Sequence, residues 1–168
     1  LGLLFGFAMF MTISAPGQSQ AATSGKYVCE NDKLTLAEFR RAISENDIFI
    51  LDGGSASTLT PGGIVTVKVK NNTNCVIPLS LGTYEQYVSS TIDLANQKLF
   101  AESAINEIGA NGSTGFLSAR MPMCLGQWDI FYGSAIRNWT TEDNQKFWTG
   151  TAQLGLPVCT NISQPEKP

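Results

Sequence analysis

Gln127 and Asp129 stand two residues apart in Gly126-Gln127-Trp128-Asp129-Ile130-Phe131-Tyr132. In a strand, period-two alternation puts both on one side, where a carboxylate and an amide could contact a polar ligand together. The same spacing suits a hydrogen-bonded or solvent-facing pair joined to Lys68 or Arg120, and this simpler reading takes precedence. Glycosidase-type hydrolysis needs two carboxyls flanking the scissile bond. No second acid has a compelling position relative to Asp129, because Asp47 and Asp52 are first of all cap and turn residues. The chain has no histidine, which excludes Ser–His and Cys–His catalysis and His-ligated zinc. Gly53-Gly54 and Gly62-Gly63 read as turn glycines and not as a phosphate cradle. The expectation is a chain that is not an enzyme, with no cofactor and no metal.

Two further sets of residues could carry binding or modification. Trp128, Tyr132, Trp139 and Trp148 could supply a sugar-stacking platform, with Trp139 and Trp148 as the candidate ligand contacts and Trp128 expected in the core. Asn71, Asn111, Asn138 and Asn161 each begin an N-x-S/T sequon, and all four fall in predicted turns or tails where a glycan could be carried.

Compartment follows from the N-terminus and the cysteines. Residues 1–13 form an apolar run, too short for the roughly 20 residues a membrane-spanning helix needs and matching the apolar region of a signal peptide. Cleavage is expected after Ala21 or Ala22. The alternative is a retained hydrophobic anchor, or a strand that inserts into a neighbouring subunit of a filament. Export exposes Cys29, Cys75, Cys124 and Cys159 to an oxidising compartment where disulfides persist. Their wide spacing, without a C-x-x-C pair, argues against a zinc knuckle or a redox site. Four cysteines allow three pairings. Because domain termini are often close, Cys29–Cys159 is expected as a terminal staple and Cys75–Cys124 as an internal bridge. The net charge of −3 opposes a nucleic-acid role, which needs a basic face.

The elements that must position these residues are mostly strands. At 43% hydrophobic and 15% charged, with sixteen Gly and seven Pro, the chain has material for a core and for many turns. Thr35-Leu36-Ala37-Glu38 fits a capping box ahead of one short helix, with Leu36, Phe39 and Ile43 on its apolar stripe and Asn46-Asp47 ending it. Ile48–Leu51 reads as a strand. Ile64–Lys70 alternates, with Val65, Val67 and Val69 inward and Thr66, Lys68 and Lys70 outward. In the next run Cys75, Ile77, Leu79 and Leu81 share a face, and Pro78 demotes part of it to an edge or a bulge. Gln97–Ala101 is a weaker strand, Asn111-Gly112 a turn, Thr114–Met121 and Cys124–Gly133 strands, and Lys146–Leu154 a closing strand. About seven strands separated by regular turn signals are the pattern of an antiparallel β-sandwich.

The segments NNTNCVIPLSLGTYEQY, QKLFAES and MPMCLGQWDIFYG resemble a small immunoglobulin-like β domain of secreted bacterial and archaeal proteins of unassigned function. The matching positions are Asn72, Cys75, Tyr84, Gln97, Leu99, Phe100, Cys124, Gln127, Asp129, Phe131 and Gly133, within residues 62–135. The resemblance implies an immunoglobulin-like sandwich, supports a Cys75–Cys124 bridge with Trp128 packed on it, and implies no activity. The antibody-type tyrosine corner is absent, since Pro122 occupies its position. The expected organisation is a leader or hydrophobic segment over 1–22, a helix-and-strand extension over 23–62, the sandwich over 63–160 and a tail over 161–168. The expected role is a non-catalytic secreted or cell-surface module, structural or adhesive, meeting a protein or a glycan there. The alternatives are a carbohydrate-binding module and a self-associating filament subunit.

Overall fold

The structure is a computed structural model, and it describes residues 25–55, 59–87, 97–137, 142–153 and 155–160. The expectations for residues 1–22, Trp139, Asn138 and Asn161 lie outside these residues. The chain is mainly β, and the described residues form ten strands, one α-helix and a short 3-10 turn at Glu142–Gln145. The strands are β1 (Cys29–Glu30), β2 (Lys33–Leu34), β3 (Ile48–Gly53), β4 (Ile64–Asn71), β5 (Ile77–Gln86), β6 (Gln97–Glu102), β7 (Asn106–Ile108), β8 (Ser113–Arg120), β9 (Gly126–Tyr132) and β10 (Phe147–Gln153), with α1 (Leu36–Ser44) between β2 and β3.

Two antiparallel sheets form the body. One has the order β3-β4-β8; the other runs β10-β9-β5-β6, with β7 also pairing β5. β1 and β2 make a separate hairpin tied to the start of β5 by Leu34 N–H to Val76 O (2.8 Å) and Val76 N–H to Asp32 O (2.8 Å). Val65, Val67 and Val69 of β4, with Leu117 and Ala119 of β8, pack against Ile77, Leu79 and Leu81 of β5 and Trp128 and Ile130 of β9 in one core. This is the inward alternation expected from the sequence, because each sheet buries one row of side chains on the other. Trp128 fills the core next to Gly54, whose carbonyl accepts its Nε1–H at 2.9 Å. Gly54 has φ +69, and a Cβ there would press into the indole.

Thr35 caps the helix as expected, its hydroxyl accepting the Glu38 N–H at 3.3 Å, but Glu38 does not reach back to complete the capping box. Glu38 turns its carboxylate to Arg41 (2.9 Å). Phe39 and Ala42 are fully buried, with Leu36 and Ile43 packed partly against the core. The helix end is locked from outside. There the Tyr27 hydroxyl lies within hydrogen-bond distance of Glu45 (2.9 Å) and Asp47 (2.5 Å), and Arg41 lies over the Tyr27 ring.

Three expectations change. First, β5 is the central strand of its sheet, buried on both faces. Pro78 is tolerated there because its carbonyl, and so the side of its missing N–H, faces Gly133, one residue past the end of β9. Second, Asn71 is the last residue of β4 and fully buried. Its amide nitrogen donates to Cys75 O (2.8 Å), Gly109 O (2.8 Å) and Ile108 O (3.3 Å). Its Oδ1 accepts from the Thr73 N–H (3.0 Å) and hydroxyl (2.7 Å). A glycan cannot attach to that nitrogen in the folded chain. Asn111, by contrast, sits exposed at the β7–β8 turn with φ +58, followed by Gly112 with φ +84, the geometry Asn-Gly turns favour.

Third, the disulfides are Cys29–Cys75 and Cys124–Cys159, with Cα atoms 5.7 and 5.1 Å apart. The expected Cys29–Cys159 and Cys75–Cys124 pairs do not form. Cys75 precedes β5 where the β1–β2 hairpin docks. Cys124 precedes β9 beside the far end of β5, where Cys159 N–H bonds Gln86 O (2.7 Å) and Leu125 N–H bonds Pro157 O (2.7 Å). Each cysteine is therefore paired at its own end of the sandwich.

Non-reducing peptide mapping is expected to yield a Cys29–Cys75 cross-linked peptide; a Cys75–Cys124 peptide would refute this arrangement. Asn71→Ala is expected to lower the urea unfolding free energy by about 2–4 kcal/mol, because it strips partners from buried carbonyls and from the Thr73 N–H. Asn71→Asp is expected to cost more still, since it aims a carboxylate at the same carbonyls.

Candidate functional site

Gln127 and Asp129 project from the face of β9 turned away from the shared core, as the alternation predicts. They are not solvent-facing: Gln127 is 7% exposed and Asp129 2%. Gln127 Nε2 donates to Asp129 Oδ2 at 2.6 Å. Neither is joined to Lys68 or Arg120, which stand on β4 and β8 in the other sheet. In register, Asp129 lies between Gly82 of β5 and Gly150 of β10. A Cβ at Gly150 would collide with the Asp129 carboxylate, so this glycine leaves the side chain its room.

The cover over this face comes from residues after β9. Tyr84, Phe131, Ala135 and Ile136 form a second apolar cluster, with Leu99 and Phe147 packed against it. The Tyr84 hydroxyl donates to Ile136 O (2.7 Å) and accepts the Ile136 N–H (3.2 Å), pinning the 133–137 loop over the sheet. The same loop lines a cleft of about 370 Å³ together with Tyr132 and Lys146. Arg137 is engaged by Glu102 at 2.5 Å.

Burial lifts the Asp129 carboxyl to about 7, and the Gln127 amide only partly offsets this. A raised carboxyl beside an amide can exchange a proton near neutral pH, but hydrolysis by an acid–base pair needs a second group at the reacting bond. Among the described residues, no other ionisable group acts on Asp129. Further along the same face, Gln86 and Gln97 are cross-strand partners. Their amides are buried and have no hydrogen-bond partner among the described residues.

The remaining candidates separate. Trp148 is half-buried and packs edge-on against Phe39 of α1, with ring centroids 6.1 Å apart. Tyr132 lies 5.2 Å from the same ring. Glu85, Cys124 and Cys159 come close enough to suggest a metal site, but both sulfurs are committed to the disulfide. No helix among the described residues is long and apolar enough to cross a membrane. The sequence reading missed the glutamine pair and the cover over Asp129. The only sequence signal for the cover was the apolar Ala135-Ile136 after a turn glycine.

Asp129 yields a pH prediction. Its carboxyl is raised in the folded chain, so the folded state holds a proton that the unfolded chain releases above about pH 4. Stability therefore falls as pH rises from about 4 through 7 and stays reduced above. Asp129→Asn is expected to remove this decline and to stabilise the protein at pH 8, with a ceiling of about 4 kcal/mol. Urea midpoints at pH 5 and pH 8 check it; an Asp129→Asn protein no more stable than the parent at pH 8 would refute the buried-carboxyl account.

No protein-family model matches the sequence, and no curated protein matches it. Two solved structures are similar at a distance. A β-glucosidase from Listeria innocua, crystallised in complex with glucose, is 12% identical with a TM-score of 0.36, over 66% of this chain and 16% of that one. A β-glucosidase from Paenibacillus barengoltzii is 9% identical with a TM-score of 0.33, over 64% and 14%. The chain spans under a fifth of the length of either enzyme.

Proposed function

We propose that this chain is an exported, non-catalytic module of immunoglobulin-like type with a structural or adhesive role at a cell surface. The observation that carries the reading is the state of Asp129. The one strongly raised buried carboxyl among the described residues is closed in by the sheet and the 133–137 loop, and an amide is its hydrogen-bond partner. A carboxyl buried this way costs the fold stability near neutral pH, and with 2% of its surface exposed it is out of a substrate's reach.

Two further observations support the reading. Both disulfides tie together the ends of strands, the use expected of a chain that must hold its shape in an oxidising medium. The order β3-β4-β8 facing β10-β9-β5-β6 makes the chain pass from one sheet to the other after β4, after β7 and after β8. This Greek-key exchange is shared by immunoglobulin-like and fibronectin-type sandwiches.

The test is a turnover screen of the purified chain beside Asp129→Asn on aryl glycosides, aryl esters and soluble polysaccharides. Both proteins are expected to show no turnover above buffer. Turnover that the parent shows and the variant lacks would overturn the non-catalytic reading.

A further inference from the structure

About half of the cations among the described residues are tied down. Lys26, Lys33, Arg41 and Arg137 are held by carboxylates in ion pairs, and Arg40 donates to the Phe147 carbonyl at 2.7 Å. Lys68, Lys70 and Arg120 have no carboxylate partner, and all three stand on one surface, the outer face of the β3-β4-β8 sheet. In register, Lys68 lies opposite Phe116, Thr66 opposite Ser118, and Ile64 opposite Arg120. The alternation that buries Val65, Val67, Val69, Leu117 and Ala119 sends these side chains the other way. Phe116 is 58% exposed and Ile64 62%. Lys68 lies over the Phe116 ring, 5.4 Å from its centroid, and the Thr66 and Ser118 hydroxyls are 2.9 Å apart. Arg120 donates to the Gly62 carbonyl at 3.0 Å, which orients its guanidinium without neutralising it. Asp52 of β3 pairs in register with Lys68, but its carboxylate accepts the Gly53 N–H at 2.7 Å and makes no ion pair. A chain of net charge −3 thus carries a strip on which three cations form no ion pair, with the Asp52 carboxylate set in register beside Lys68.

We infer that this strip, built on Thr66, Lys68, Phe116, Ser118 and Arg120 with Lys70 beside it, docks an acidic polysaccharide; the inference rests on the non-catalytic surface-module reading. Charge complementarity sets the sign of the partner. Lys68 and Lys70 stand about 7 Å apart on one strand, so successive carboxylates of an extended polymer can engage them without deforming the sheet. The aromatic ring offers a surface for sugar C–H faces, and the paired hydroxyls offer both donor and acceptor to ring hydroxyls. The same hydroxyls argue against an anionic membrane, because seating the strip in lipid would desolvate them between Ile64 and Phe116. Three cations on an acidic chain are too few for a nucleic-acid face. A peptide adding to a sheet would use an edge and not this face.

Native affinity electrophoresis in gels containing polygalacturonate, with dextran gels as the neutral comparison, tests the inference on the exported chain. Retardation by polygalacturonate and none by dextran is expected, weakening as salt is raised. Lys68→Gln, at a half-buried position, and Phe116→Ala, at an exposed one, are each expected to lose most of the retardation. Lys98→Gln, which makes the same charge change at a lysine lying over Tyr87, is expected to keep it. No retardation of the parent, equal retardation of Lys68→Gln and Lys98→Gln, or co-sedimentation with phosphatidylglycerol vesicles without polygalacturonate retardation would each overturn the docking. Polymer length measured after each run separates the two readings. Shortened polymer would overturn the non-catalytic reading, whereas absent retardation with intact polymer would overturn the docking alone.

Discussion

The side-chain amide of Asn71 is the point on which the sandwich closes. It ends β4, and its donors reach the carbonyls that open β5 and close β7. Around it, Asn72 N–H bonds Asp47 O, Asn111 N–H bonds Thr73 O and Gly112 N–H bonds Asn71 O. Four chain segments therefore meet at one residue. An amide can do this because it has two donors and an acceptor in one plane; a carboxylate lacks the donors and an aliphatic residue lacks both. With the knot tied, the β7–β8 hairpin and the start of β5 are fixed relative to β4, and the two sheets face each other at a defined stagger.

From that corner the two faces of the larger sheet take different fates. The inner face receives the β4 and β8 valines and leucine and makes an apolar core. The outer face carries Ser80, Tyr84, Gln86, Gln127 and Asp129, all buried, so the protein has sealed a polar surface beneath its own loop. Burying such groups is costly unless they are paired. Gln127 offsets part of that cost for Asp129 with one hydrogen bond, and Tyr84 offsets its own by clasping Ile136. The smaller sheet leaves its outer row in water, and there the cations and the ring of Phe116 are displayed instead.

Much of this architecture was legible in the residues, because local rules govern it. Alternation at Val65, Val67 and Val69, the Thr35 cap, and the Asn111-Gly112 turn each depend on a few neighbouring positions, and each stands as read. What failed depends on contacts across the chain. The proximity of Cys29 and Cys159 to the chain ends says nothing about which end of β5 each approaches, so the pairing was misread. Pro78 looked like an edge residue because its sequence does not reveal that β9 stops opposite it. Asn71 looked like a turn residue because three of its partners are carbonyls, which every residue has. Asp129 was placed on the right face, but its burial comes from a loop whose path the strand pattern does not record. The three-residue β7 and the two-residue β1 and β2 are too short to show any period.

The placement of the disulfides has a mechanical consequence. Tension applied between the two ends of the module cannot extend the chain inside either bridge, so β3 and β4 within the first loop and β9 and β10 within the second stay off the load path. Force passes from Cys29 to Cys75, along the backbone to Cys124, and across to Cys159. Only that middle stretch can lengthen, to about 170 Å at full extension. Its first strand, β5, is hydrogen-bonded on both edges and would have to shear from β6, β7 and β9 before any length is released. The folded chain would then behave as a short tether with a fixed stop.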